Sequence, residues 1–236
     1  MNFLKFIIKK INLFRITFFK TINKEFYSQF GEDKILNEII LKNFTKGFYV
    51  DVGCFHPKKH SNTYLLYKKG WSGINIDMEV DKINSFKLTR PSDFNVLSAV
   101  SDKSIKTKFY TMQEYGVGST LEKDFIKKEN NVTREKIIST KTLNEIIENS
   151  PYKNKEIDLL NIDVEGHDFK VLASLDFNIY NPKIIIIESH IKNIDLILKS
   201  EIYLFLTKKN YSLRSWNLYS LIFVNNTSLI TIDFKD

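Results

Sequence analysis

Cysteine is nearly absent from this chain: Cys54 stands alone, so no intrachain disulfide can form. Four histidines and a single thiol also leave little material for a structural zinc site. Both shortages suit a reducing compartment, and the cytoplasm is the expected location. Glycines that cradle phosphate are missing too. No G-x-G-x-x-G occurs, the pattern that seats a pyrophosphate on a helix N-terminus. No G-x-S-x-G elbow occurs either, which removes the usual hydrolase arrangement. Repeats and low-complexity linkers are absent, and 236 residues suit one domain with a short appendage.

The net charge of +7 resembles a nucleic-acid signature until its distribution is read. Lys5, Lys9, Lys10, Arg15, Lys20 and Lys24 fall in the first 24 residues, which hold no acid. Taking those six from 35 leaves 29 basic against 28 acidic residues for the remainder. A nearly neutral body has no electrostatic footprint for DNA or RNA, so no nucleic-acid partner is expected. The basic segment also carries Phe3, Ile7, Ile11, Phe14 and Phe18 along one helical stripe. Lysine and arginine interrupt it too often for a bilayer span, and no small-residue cleavage site marks a signal peptide. Residues 1–25 are therefore expected as a basic amphipathic helix separate from a body at 26–236. Peripheral contact of residues 1–24 with anionic lipid is one reading. A helix packed on the domain, or a dimer contact, is the other.

Beyond that segment, apolar runs alternate with helical patterns. Residues 28–44 read as a helix, then Phe48–Val52 as a strand stopping at Gly53. A helix near 61–69, a strand at 73–76 reaching Asp77, a helix at 79–88 and a strand at 95–100 follow. Residues 106–112 alternate like an exposed strand, and Gly116 and Gly118 mark a loop. Ser119 with Glu122, and Thr142 with Glu145, both fit a capping box, so helices should start at both places. Strands at 157–162 and 184–187 deliver Asp163 and Glu188, with helices at 166–175 and 193–208. Residues 211–216 and 219–224 close the chain as an antiparallel hairpin. This order predicts an α/β fold: an open, Rossmann-like, seven-stranded, mostly parallel sheet with helices on both faces and a C-terminal antiparallel hairpin.

Open parallel sheets bind ligands at the carboxyl ends of their strands. The residues there are Asp51 and Gly53, Asp77, Ser101 and Asp102, Asp163 and Glu165, then Glu188 and His190. Acids favour helix N-termini through the dipole, which explains one or two of them but not a row along one edge. Gly53 allows close backbone approach, and Asp77 is placed to accept hydrogen bonds from a ribose diol. A nucleoside without phosphates, such as S-adenosylmethionine, fits a turn with one glycine. A nicotinamide-dependent oxidoreductase or epimerase fits it less well, and a membrane-docked module that keeps the fold without turnover is the non-catalytic alternative.

Ser28 to Asp33, Phe48 to Gly53, His56-Pro57, Ser61 to Thr63, Gly70 to Asp77, Ala99 to Asp102, Thr142-Leu143 and Ile157 to His167, followed by the strand into Glu188, form an ordered set of motifs. In these residues the chain resembles the FkbM family of S-adenosylmethionine-dependent methyltransferases. Two positions depart from the family pattern: Asp77, where glutamate is commoner, and Cys54, where alanine is common and which suits packing rather than nucleophilic attack. The resemblance implies a class I methyltransferase domain that methylates a hydroxyl of a sugar, a glycan or another small molecule. It implies cofactor contacts from Gln29, Asp51, Gly53, Cys54, Phe55 and His56, then Asn62, Thr63 and Asp77, then Ser101, Asp102 and Asp163. A base must take the acceptor proton. Asp163, Glu165, His167 and His190 are the catalytic candidates, with His190 preferred for its near-neutral pKa. Asp163, Glu188 and His190 are a second reading as ligands for magnesium or manganese.

Overall fold

In this computed structural model the described residues are 3, 5–8, 10, 11, 26–37, 44–111, 119–124 and 134–228. Seven strands form the main sheet: β1 (Phe48–Val52), β2 (Ser72–Asp77), β3 (Phe94–Leu97), β7 (Leu159–Ile162), β8 (Ile184–Glu188), β9 (Tyr211–Asn217) and β10 (Ser220–Asn225). Their order across the sheet is β3-β2-β1-β7-β8-β10-β9. Only β10 runs against its neighbours, pairing antiparallel with both β8 and β9. A mostly parallel α/β sheet closed by an antiparallel hairpin is thus present, as the alternation predicted.

Alternation along the strands builds a core on both faces. Phe48, Val50 and Val52 of β1 join Ile74, Ile76, Leu160, Ile162, Ile185 and Ile187 in one cluster. Tyr49, Leu159, Ile184 and Ile186 point the other way into a second. All five β1 residues are buried, which suits a central strand flanked by β2 and β7. Strand order reverses between β1 and β7, so their following loops diverge and leave a crevice at the strands' carboxyl ends.

Several boundaries differ from the sequence expectation. The single strand at 95–100 is two pieces: the chain leaves the main sheet at Ser98, and β4 (Ala99–Val100) pairs with β6 (Arg134–Lys141). β6 also pairs antiparallel with β5 (Lys106–Thr111), making a separate three-stranded sheet. Charges and an exposed Ile137 hide β6 from a periodicity argument. The helix expected over 28–44 starts only at Glu32, as α1 (Glu32–Ile35) continued by π-helical Leu36 and Asn37, because Ser28 to Phe30 instead form a loop tied to Asp33 and Glu32; residues 38–43 lie outside the described residues. The helix over 193–208 breaks into α5 (Ile194–Ile197) and α6 (Glu201–Lys208), where Ser200 caps the second piece. The box at Thr142 forms and starts α4 (Leu143–Glu148). The box at Ser119 does not form, since the Glu122 carboxylate bonds His167 and Lys170 instead; Lys123 and Asp124 are nevertheless helical, and the residues that follow lie outside the described residues. The loop expected at Gly116 and Gly118 lies outside the described residues. So does most of the basic segment, of which residues 3, 5–8, 10 and 11 are helical. Among the described residues no helix is long and apolar enough to cross a membrane.

One polar network sits inside this hydrophobic frame. Arg90, at the end of α3 (Val80–Thr89), is fully buried. Its Nη1 donates to Thr63 Oγ1 at 2.8 Å, Nη2 to Ser61 Oγ at 2.8 Å, and Nε to the Pro57 carbonyl at 2.9 Å. Thr63 Oγ1 in turn donates to Asp51 at 2.6 Å. Asp93 accepts from Tyr49 Oη at 2.5 Å, the Gly73 amide at 2.9 Å and Asn75 at 2.9 Å. The guanidinium charge therefore stabilises two buried carboxylates without touching either, and its fork holds the loop between β1 and α2 (Tyr64–Lys68). Arg90→Leu would strand several buried acceptors and should cost about 3 kcal/mol, or roughly 6–12 °C in Tm. Arg90→Lys, with one donor point in place of a fork, should recover less than half of that loss in thermal denaturation. Full recovery would show that charge alone matters there.

Candidate active site

The loop after β1 is built by contact with the loop after β7. The Gly53 and Cys54 amides both donate to the Ile76 carbonyl, at 2.9 and 3.2 Å. Gly53 has φ +75°, and a Cβ there would lie 1.7 Å from the Asp163 carbonyl oxygen. No side chain fits at this crossing. Cys54 packs beneath it against Ile83 and Phe86, and burial, with Asp77 and Asp51 nearby, pushes its thiol pKa well up. It stays protonated and unreactive.

Asp77 ends β2 and organises the next turn. Its carboxylate accepts the Phe55 amide at 3.2 Å and the Glu79 amide at 2.9 Å. Lys82 Nζ lies 3.9 Å from Asp77 and 2.7 Å from Glu79, with its side chain almost wholly buried. Burial raises the Asp77 pKa, opposed chiefly by Lys82. Asp51 is likewise raised by burial, opposed by hydrogen bonds from Thr63 and Asn161 and by Arg90.

At the other end of the crevice acids dominate. Burial, reinforced by Glu188, Glu165, Asp168 and Asp51, pushes the Asp163 carboxyl well above the usual range. His190 stands outside the lining of the crevice, half-exposed, with its Nε2 3.2 Å from Oε2 of Glu188, which does line it. That contact raises the imidazole pKa, against a smaller desolvation effect, and Glu165 and Asp168 add to it. Ligand atoms of Glu165, Glu188 and His190 all fall within 4.8 Å of one another. Two carboxylates and an imidazole are a donor set that fits a hard divalent cation. Asp163, expected among the ligands, is not in that group; Glu165 takes its place, its backbone in the left-handed region at φ 56°.

Together these loops enclose a crevice of about 990 Å³, counting its open mouth. A model of the methyltransferase FkbM domain matches residues 51–213. The chain belongs to this family. A crystal structure of methyltransferase FkbM from Methylobacillus flagellatus KT is similar at 12% identity and TM-score 0.47, over 81% of this chain and 50% of that one. The chain thus spans about half the length of that protein. No curated protein matches it.

In this FkbM-family chain the crevice gathers most of the residues singled out from sequence. Gln29, Asp51, Gly53, Cys54, Phe55, Asn62, Asp77, Asp163, Glu165, His167 and Glu188 line it. Four expected cofactor contacts sit behind or beside it. Thr63 is buried between Asp51 and Arg90. His56 turns Nδ1 to the Lys58 and Lys59 amides, at 3.0 and 2.9 Å. Ser101 Oγ lies 3.0 Å from Asp102 Oδ1 and 2.9 Å from His167 Nε2. His167 also meets Glu122 through Nδ1 at 2.7 Å, so both ring nitrogens are engaged. Burial, with Lys170 nearby, lowers its pKa against the pull of Glu122. A neutral, doubly bonded imidazole positions the wall and is poorly placed to take a substrate proton.

Sequence reasoning missed Lys82, Arg90, Glu122 and Asn161. Asn161 had a signal, a lone polar residue inside an apolar strand; its Nδ2 donates to Asp51 at 2.8 Å and its Oδ1 accepts from Asn62 at 2.8 Å. Arg90 and Glu122 depend on partners far apart in sequence, while Lys82 pairs locally with Glu79 and only its burial is hidden from the sequence. The crossing at Gly53 gives a direct test. Gly53→Ala should lose about 3 kcal/mol or more in thermal denaturation, from the clash with fixed backbone together with the left-handed conformation. Gly31→Ala, at φ +88° with nothing within 4 Å of the new Cβ, should lose only about 1 kcal/mol. Equal losses would show that the contact with Asp163 is unimportant.

Proposed function

We propose that the protein is an S-adenosylmethionine-dependent methyltransferase acting on a hydroxyl of a sugar, a glycan or another small molecule. The charge of the crevice carries this reading. Asp51, Asp77, Asp163, Glu165 and Glu188 line it, against Lys82 as the one ammonium among its described lining residues. A dinucleotide would bring a pyrophosphate into that field, whereas S-adenosylmethionine brings a sulfonium and an ammonium. The turn with one glycine points the same way. Asp77 is proposed to accept from the ribose, and Asp163 to sit toward the charged methionine end. A reducing, cytoplasmic setting suits the lone thiol.

The bound cofactor supplies a methyl group on a sulfonium, already electrophilic. The chain must then hold the acceptor hydroxyl in line and remove its proton. His190, steadied by Glu188, is the proposed base. In a second reading, favoured by their closeness, Glu165, Glu188 and His190 would instead hold a magnesium or manganese ion, which would lower the hydroxyl pKa in place of a histidine base.

Calorimetry on the folded protein should give micromolar binding of S-adenosylmethionine and S-adenosylhomocysteine, with no measurable NAD binding. Asp77→Ala should weaken the former roughly tenfold or more. Absence of binding, or preference for NAD, would overturn the reading. Labelled cofactor, supplied with fractionated glycans or lipid-linked sugars with and without chelator, would identify the acceptor class and any metal need.

The raised pKa of His190 has a sign that can be measured. The protonated form persists above the ordinary imidazole range, so the free base appears only as pH rises through the raised value. Once an acceptor is known, kcat/KM should climb with pH through an inflection above about 6.5. His190→Gln should lower the plateau roughly 100-fold and remove that inflection. An inflection that persists in His190→Gln would assign the base elsewhere.

A further inference from the structure

The helical residues at the N-terminal end display apolar side chains that no described part of the protein covers. Phe3, Phe6, Ile7, Ile8 and Ile11 are 77, 57, 37, 50 and 55% exposed. Phe3, Ile7 and Ile11 follow at intervals of four, so they share one helical face, with Ile8 beside it. A helix belonging to the core would turn that stripe inward. Charge indicates what covers it. The first 24 residues hold six cations and no acid, almost all of the chain's net +7.

A second copy would bring the same positive segment against the first and be repelled. Nucleic acid would satisfy the lysines but leave the isoleucines and phenylalanines in water. An anionic lipid surface satisfies both, with headgroups meeting the cations and the acyl boundary receiving the apolar stripe. No described helix is long and apolar enough to span, so the contact is interfacial. We propose that the helical stripe of Phe3, Ile7, Ile8 and Ile11 docks this protein on anionic membrane surfaces. The proposal is independent of the cofactor assignment; it places the crevice where acceptors carried on lipid would be met.

Vesicle sedimentation of the full chain tests it. The protein should pellet with phosphatidylcholine vesicles containing about a third phosphatidylglycerol, stay in solution with phosphatidylcholine alone, and be largely released at about 0.5 M salt. Lys5→Glu with Lys9→Glu and Lys10→Glu should reduce partitioning on the order of 100-fold. Ile7→Ser with Ile11→Ser should reduce it roughly 10-fold or more. Both variants should keep the parent unfolding midpoint, which shows the body intact. No pelleting with anionic vesicles, or equal pelleting with neutral ones, overturns the proposal. Unchanged partitioning of both variants overturns it too, as does a dimer in light scattering that Ile7→Ser with Ile11→Ser dissolves.

Discussion

A guanidinium buried without a carboxylate in contact is the constraint on which the crevice depends. Arg90 spends its donors on Pro57, Ser61 and Thr63, all in the loop after β1. That loop has little regular structure of its own, and Phe55 and His60 hold left-handed backbone within it. Burying an arginine is costly unless every N–H is used and anions lie near. Here the cost is met by loop oxygens and by the field of Asp51 and Asp93. The loop is held in one shape because Arg90 has no solvent to retreat to.

From that frame the chemistry of the crevice follows by proximity. Thr63 passes the constraint from Arg90 to Asp51, and Asn161 passes it from Asp51 across to β7. Gly53 lets the backbones of the two loops touch. Asp77 and Asp163 are thereby held on either side of one switch point, in surroundings that raise both carboxyls. Five acids in a partly enclosed space repel one another, and a cationic ligand relieves that repulsion. Strain of this kind is what a site for a sulfonium nucleoside would store in its empty form.

Much of this was legible beforehand. Unbroken apolar runs such as Ile184 to Ile187 announce covered parallel strands, and each is followed by an acid whose place at the crevice rim comes from topology alone. Elements on the surface were harder. β6 carries arginine, glutamate and lysine around two isoleucines, and only its pairing with β4 and β5 makes it a strand. Glu122 matched a capping box by spacing, yet its carboxylate is taken by His167 and Lys170, both more than forty residues away in sequence. Arg90 could not be found from sequence, because nothing local distinguishes a buried arginine from an exposed one after a helix. His167 looked like a base until both of its nitrogens were seen to be engaged.

The central claim is that the crevice between β1 and β7 holds a cationic, phosphate-free nucleoside with Asp77 on its ribose and the acids toward its sulfur. A crystal structure of the protein soaked with S-adenosylhomocysteine tests this directly. The account predicts both ribose hydroxyls within hydrogen-bond reach of Asp77, and the sulfur facing the Asp163–Glu188 side of the crevice. A nucleoside bound elsewhere, or bound here with its ribose away from Asp77, would contradict it.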